Sequence, residues 1–262
     1  MGLRSQTYCW RNGARCERNM TAMLTVSLWR GKADGQFVSY QVPRSPSQTI
    51  LDVVTYVQRS IDATLSYRFA CRVGMCGSCA MTVNGVARWT CRTHVDRVVA
   101  AQSETAAVEI APLSNLPIVK DLVTDMSPFF DKWQDAQGRF EGTRTRHQDF
   151  AIVKPDSPQR QAADAGIECI GCAVCYASCD VVTWQPGFLG PAALNRAWTL
   201  VNDERDLAGN SRLRAVAGDV GCHACHSQGS CSERCPKGIE PTAAIAGLKR
   251  IVGRAAIRGQ LD

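Results

Sequence analysis

ECIGCAVCYASCD (residues 168–180) places Cys169, Cys172, Cys175 and Cys179 at gaps of two, two and three residues. Further on, CHSQGSCSERCP (residues 225–236) keeps that frame with Cys225, Cys231 and Cys235, but Gln228 stands where the second cysteine is due. Thiols this close along a chain converge on a common centre more readily than they pair with one another, so each run reads as a metal-binding loop. Two copies of one loop, one of them short of a ligand, predict two centres of unequal ligand number in the second half of the chain.

The composition supports that reading. A chain of 262 residues, 45% of them hydrophobic, is long enough for two domains with their own cores. No stretch approaches the 18 or more uninterrupted apolar residues of a membrane span, and the N-terminus lacks the apolar centre of a secretory signal. Fourteen cysteines without an export signal, most of them clustered, indicate metal binding in a reducing compartment rather than a disulfide framework. The net charge of +6 is mild, and half of it comes from residues 1–22, where Arg4, Arg11, Arg15 and Arg18 face only Glu17. It leaves no nucleic-acid footprint. Residues 1–22 are expected to be a poorly ordered N-terminal extension or the product of an early start codon, with Met20 or Met23 as the true start; an Arg-rich targeting segment is the alternative, and Cys9 and Cys16 there receive no role.

Along the chain, MLTVSLWR (23–30) and QFVSYQV (36–42) alternate as strands and form a hairpin. A helix should follow, begun near Pro46, capped by Thr49 with Asp52, and buried through Ile50, Val53, Val54, Val57 and Ile61. Asn84-Gly85 in AMTVNGVARWT marks a second hairpin, and AVEIAP ends a last strand near Pro112. These elements predict an α+β domain over residues 23–119. From Lys120 to 262 the pattern becomes helical. KDLVTDMSPFFDKWQ reads as a helix presenting Leu122, Val123, Met126, Phe129, Phe130 and Trp133, interrupted by Pro128. Residues 142–166 read as a polar surface connection. PAALNRAWTLVNDERD and PTAAIAGLKRIVGRAAI read as helices opened by Pro191 and Pro241.

CRVGMCGSC carries Cys71, Cys76 and Cys79, and Cys91 follows the second hairpin. This is the C-x4-C-x2-C…C spacing of plant-type [2Fe–2S] ferredoxins. Gly74 and Gly77 allow backbone N–H groups to turn toward an anionic cluster, and Arg68 and Arg72 add compensating charge. A four-thiolate zinc site is the alternative, although zinc knuckles pair two C-x2-C hooks and this loop does not. The run at 169–179 fits the bacterial frame in which the fourth cysteine serves the other of two clusters. Crossing the fourth cysteines groups Cys169, Cys172, Cys175 and Cys235 for [4Fe–4S], and leaves Cys179, Cys225 and Cys231 for a cluster lacking one iron, [3Fe–4S]. CHACH (222–226) also matches a c-type haem attachment sequence, but attachment would consume Cys225 and normally needs export. Cys222 is then a spare thiol, or a fourth ligand to the three-cysteine centre.

The order of the [2Fe–2S] loop, a helical region, CIGCAVCYASC, FLGPAAL, DERD and CSERCPKGIEP resembles the iron–sulfur subunit of the succinate dehydrogenase/fumarate reductase family, from about residue 23 to 252. The resemblance implies a plant-ferredoxin-like (β-grasp) domain followed by an all-α helical ferredoxin domain, with the cluster assignment given above. It also implies a flavoprotein subunit carrying FAD, cytochrome b-type membrane-anchor subunits that bind quinone, and electron flow in the order FAD, [2Fe–2S], [4Fe–4S], [3Fe–4S], quinone. No dicarboxylate site is then expected in this chain. Its expected location is peripheral, on the cytoplasmic face of a bacterial inner membrane or the matrix face of a mitochondrial one. Trp184, His226 and Lys249 match the family's quinone-contacting positions. Asp180 departs from the family's usual proline, and Thr183 from a frequent tryptophan. A different expectation is a soluble iron–sulfur adaptor of another flavin dehydrogenase; those relatives commonly carry extra cysteine-rich domains or two complete [4Fe–4S] motifs, which this sequence lacks.

Overall fold

The computed structural model describes residues 22–99 and 107–261. The N-terminal extension up to residue 21, with Cys9 and Cys16, lies outside the described residues. Strand β1 (Met23–Arg30) pairs antiparallel with β2 (Gln36–Pro43), and alternation puts Leu24, Val26 and Leu28 in the interior. Helix α1 (Ile50–Tyr56) crosses the sheet. Strands β3 (Ala80–Val83) and β4 (Val86–Trp89) form the second hairpin, whose turn residues Asn84 and Gly85 both take positive φ (49° and 74°). Strand β5 (Ala107–Ala111) runs parallel to β1 and antiparallel to β3, giving the mixed order β2-β1-β5-β3-β4.

The capping box is formed: Thr49 Oγ1 accepts from the Asp52 N–H, and the Asp52 carboxylate accepts from the Thr49 N–H. Ile50, Val53, Val54 and Val57 pack with Leu24, Val26, Val83, Val108 and Ile110 into the core of this half. Two expectations fail locally. Pro46 sits in a turn ahead of α1. Residues Val57–Ile61 widen into a π turn closed by the Asp62 N–H on the Val57 carbonyl, which rotates Ile61 off the apolar face and leaves it 47% exposed.

The connection out of the sheet holds two short strands, β6 (Ile118–Lys120) and β7 (Val123–Thr124), the second of them where the sequence suggested helix. Leu122, between them, is buried in the core of the first half. Helix α2 (Ser127–Asp135) begins where Pro128 had been read as an interruption; proline lacks an N–H, which costs nothing in a first turn. The expected surface connection is shorter than predicted, because Ser157 caps a further helix, α3 (Pro158–Ile167), through the Arg160 N–H. Then follow α4 (Val174–Ala177), α5 (Asp180–Trp184), α6 (Gly190–Val201), α7 (Gly209–Ala217), α8 (Ser230–Glu233) and α9 (Pro241–Ile257). Helix α6 is nearly enveloped, and Leu194, Ala197, Ile245 and Leu248 of α6 and α9 centre the second core. Ala80 and Ala87 from the sheet join this core, so the two halves pack directly.

Candidate metal centres

In the first loop the glycines take the conformation expected of them, with φ of 76° at Gly74 and 72° at Gly77. The turn is drawn in around Cys71: the Met75 and Cys76 N–H groups donate to its Sγ at 3.2 and 3.3 Å. Backbone donors from Val73, Met75 and Cys76 bring its thiol down to about 6, as an oriented ring of N–H groups favours the anion. Cys91 is buried beside Cys79, and burial followed by that neighbouring thiol pushes it up to about 11. Thr90 fixes the pair, donating to the Cys79 carbonyl through both its N–H (3.2 Å) and hydroxyl (2.8 Å). Around this loop Arg68, Phe69, Arg72, Val73 and Met75 are exposed, and the Arg72 guanidinium lies 4.6 Å from the Phe69 ring.

The two runs in the helical half form two separate cavities. Cys169, Cys172, Cys175 and Cys235 line one, a cavity of about 20 Å³, together with Phe129, Ile170, Asn195 and Ile239. Cys179, Cys225 and Cys231 line the other, of similar size, with His226, Ser227 and Gln228. Each cavity therefore takes its last cysteine from the other run. The two loops also share a backbone shape. Cys172 stands between left-handed Gly171 (φ 63°) and Ala173 (φ 60°), and Gln228 between left-handed Ser227 (φ 58°) and Gly229 (φ 85°). A short helix follows each, α4 and α8. The second copy thus keeps the conformation of a ligand-bearing loop and lacks only the sulfur.

Burial pushes the thiols of Cys169, Cys172, Cys175, Cys179 and Cys231 up, Cys172 to about 12, because a buried thiolate without a cation is costly. Such thiols suit iron, whose charge replaces the proton. Zinc sites of four thiolates pair two C-x2-C hooks, whereas here each cavity joins one run of cysteines to a single cysteine from the other run, which is the frame of a two-cluster ferredoxin. No cysteine among the described residues is in a disulfide. The donor set fits inorganic clusters.

The centres adjoin one another. A Cβ on Gly77 would stand 2.6 Å from Cys172 Cβ, so the first loop touches the second without an intervening side chain. Cys175 of the four-cysteine cavity lies on α4, and Cys179 of the neighbouring cavity follows two residues after that helix ends. Cys222 is buried and does not line the three-cysteine cavity. Of the three expected quinone contacts, His226 lines that cavity and is exposed. Lys249 Nζ donates to the Cys225 carbonyl at 2.7 Å. Trp184 ends α5, five residues beyond Cys179, and is 66% exposed.

Sequence reasoning missed three supporting residues. Asn115 Nδ2 donates to the carbonyls of Tyr176 and Cys179 (3.2 and 3.4 Å) while its Oδ1 accepts from Thr183 Oγ1 (2.8 Å), pinning the end of the first run. Ser232 and Thr242 gather at Cys231. None carries a local signal except Ser232, which lies inside the cysteine frame.

A sheet domain with a cysteine loop, joined to a helical domain with two thiol cavities, defines a multi-cluster iron–sulfur electron carrier. Residues 24–131 match the family described as 2Fe-2S iron-sulfur cluster binding domain, and residues 166–239 that described as 4Fe-4S dicluster domain. The fumarate reductase iron-sulfur subunit of Mycobacterium tuberculosis is 33% identical over 242 residues, 90% of this chain and 94% of that one. The mitochondrial succinate dehydrogenase (ubiquinone) iron-sulfur subunit of Candida glabrata is 35% identical over 202 residues, 77% of this chain and 78% of the other. A chain of the Mycobacterium smegmatis Sdh1 complex in the apo form superposes with a TM-score of 0.79 at 25% identity, covering 90% of this chain and 98% of its own. The chain belongs to the family of iron–sulfur subunits of succinate dehydrogenase and fumarate reductase.

Proposed function

We propose that this subunit conducts electrons between the FAD of a flavoprotein subunit and a quinone held with membrane-anchor subunits. In this reading Cys71, Cys76, Cys79 and Cys91 hold [2Fe–2S]. Cys169, Cys172, Cys175 and Cys235 hold [4Fe–4S], and Cys179, Cys225 and Cys231 hold [3Fe–4S]. The observation that carries it is the exchange of last cysteines between the two cavities, which leaves one with four thiols and one with three. When bound, such clusters supply one-electron carriers between a two-electron flavin and a two-electron quinone.

The protein's own part is to hold these sites in a row. Gly77 against Cys172 joins the first site to the second, and α4, which carries Cys175 and leads into Cys179, joins the second to the third. The exposed arginine and apolar side chains around the first loop form the flavoprotein face. His226, Lys249 and Trp184, at the three-cysteine end, are the groups that donate to a quinone oxygen: imidazole, ammonium and indole N–H are all donors. No helix among the described residues is long and apolar enough to cross a membrane, so the anchor subunits supply the membrane attachment.

The test is anaerobic purification of the complex from native membranes with iron and sulfide analysis, low-temperature EPR and a succinate–quinone reductase assay. Expected are a co-purifying flavoprotein, a succinate-reducible [2Fe–2S] signal and a three-iron signal in the oxidised state. A complex without iron and acid-labile sulfide would overturn the reading.

A further inference from the structure

Among the sulfurs of the three-cysteine cavity, Cys231 adds side-chain hydroxyls to its backbone donor. The Cys225 Sγ accepts from a backbone donor, the Ser227 N–H at 3.4 Å. The Cys179 sulfur likewise faces the backbone N–H groups of Val181 and Val182. The Cys231 Sγ faces the Ser232 N–H and hydroxyl and, in addition, lies 3.3 Å from the Thr242 hydroxyl. Thr242 is in the first turn of α9, where backbone N–H groups have no partner within the helix, and its N–H donates to Ser232 Oγ at 3.2 Å. The Ser232 hydroxyl donates in turn to Thr242 Oγ1 at 3.1 Å. With its oxygen already accepting from Ser232, Thr242 has its own proton free. An iron-bound cysteine is a thiolate and can only accept, so that proton points at Cys231 Sγ.

We infer that Ser232 and Thr242 form a two-hydroxyl relay that raises the reduction potential of the three-iron site by hydrogen bonding to the Cys231 sulfur. The inference rests on the cluster assignment proposed above. One-electron reduction makes the cluster and its thiolates more negative with no bond made or broken. A donor aimed at a cluster sulfur therefore favours the reduced state. Backbone donors are fixed by the loop. A side-chain donor can be set independently at this one site, which is the site nearest the candidate quinone contacts. Ser232 and Thr242 are positioning residues, since they act on the electron carrier through Cys231.

The experiment is a dye-mediated potentiometric titration of the membrane-extracted complex, followed by EPR, for the parent and for Thr242→Val, Thr242→Ser and Ser232→Ala. At the parent's midpoint potential, where reduced and oxidised three-iron sites are equal, T242V should show the reduced-to-oxidised ratio falling about five-fold, the usual effect of one lost hydrogen bond. T242S should stay at the parent ratio and S232A should fall between, with [2Fe–2S] and [4Fe–4S] midpoints unmoved in all three. An unchanged midpoint in T242V with its three-iron signal intact overturns the relay, as does an equal fall in T242S, which would trace the effect to packing. Where T242V fails to assemble, S232A decides: an unmoved midpoint there overturns the relay. A parent complex without any three-iron signal would instead overturn the cluster assignment.

Discussion

Gln228 marks the difference between the two halves of a repeated loop. Its neighbours Ser227 and Gly229 hold the left-handed conformations that Gly171 and Ala173 hold around Cys172, and its side chain lines the three-cysteine cavity. Replacing it with cysteine therefore requires no change of backbone. Gln228→Cys should place a fourth thiolate at that cavity, remove the three-iron EPR signal of the oxidised complex and produce an additional reduced [4Fe–4S] signal. An unchanged three-iron signal in a folded, iron-loaded variant would mean that the two runs do not share a frame. This vacancy was legible in the sequence because it depends only on spacing. The partners of Cys231 and the carbonyls gripped by Asn115 were not, since those contacts join residues ten to sixty-four positions apart and leave no periodic trace.

At the level of elements, the legible features were those with local causes. The two hairpins, the Thr49 capping box and the proline-opened helices α6 and α9 all follow from residues within a turn of one another. Pro128 was ambiguous for a physical reason: proline disrupts a helix interior but suits its first turn, and only tertiary structure decides which applies. Helix α3 was missed because PQRQAADAGI has little apolar periodicity, so its cap at Ser157 stood alone. The loop leaving α1 offers a pH test. Asp62 is held well below the usual carboxylate range, first by the Thr64 hydroxyl and N–H and then by Arg30 and Tyr40. A value lowered on folding stabilises the chain above the ordinary 3.8, and the contribution is lost as pH falls toward the folded value. Asp62→Asn should flatten the acid limb of the stability curve below about pH 5, read from urea midpoints at successive pH. A limb as steep as the parent's would assign the acid sensitivity to other carboxylates. The tie between α2 and α7 offers a second test. Arg212 and Asp206 are both fully enclosed; the guanidinium donates to the carboxylate and to the carbonyls of Gln137 and Arg139. Removing one member leaves a buried charge unpaired, so Arg212→Met should cost about 3–5 kcal/mol in chemical denaturation. A loss below about 1 kcal/mol would show that water reaches the pair.

For the whole molecule, function depends on how closely the sheet half and the helical half meet. The sequence shows two domain patterns and three cysteine groups, but not their separation, because no local rule relates Gly77 to Cys172 across ninety-five positions of chain. Gly77 packs directly on the Cα and Cβ of Cys172: a Cβ at Gly77 would stand 2.6 Å from Cys172 Cβ and 2.9 Å from its Cα, at a φ of 72° that side chains avoid. Gly77→Ala must therefore move one cluster loop away from the other. Overpacking of this kind costs about 1–3 kcal/mol, which the shared core at Ala80 and Ala87 can absorb without unfolding. The variant should thus assemble with all three EPR signals while magnetic coupling between the reduced [2Fe–2S] and [4Fe–4S] sites weakens and single-turnover electron transfer between them slows. Flavin reduction by substrate should keep its parental rate, which separates a wider gap from a damaged flavoprotein interface. If coupling and transfer rate both match the parent in a fully loaded complex, the Gly77–Cys172 contact does not set the spacing of the first two centres.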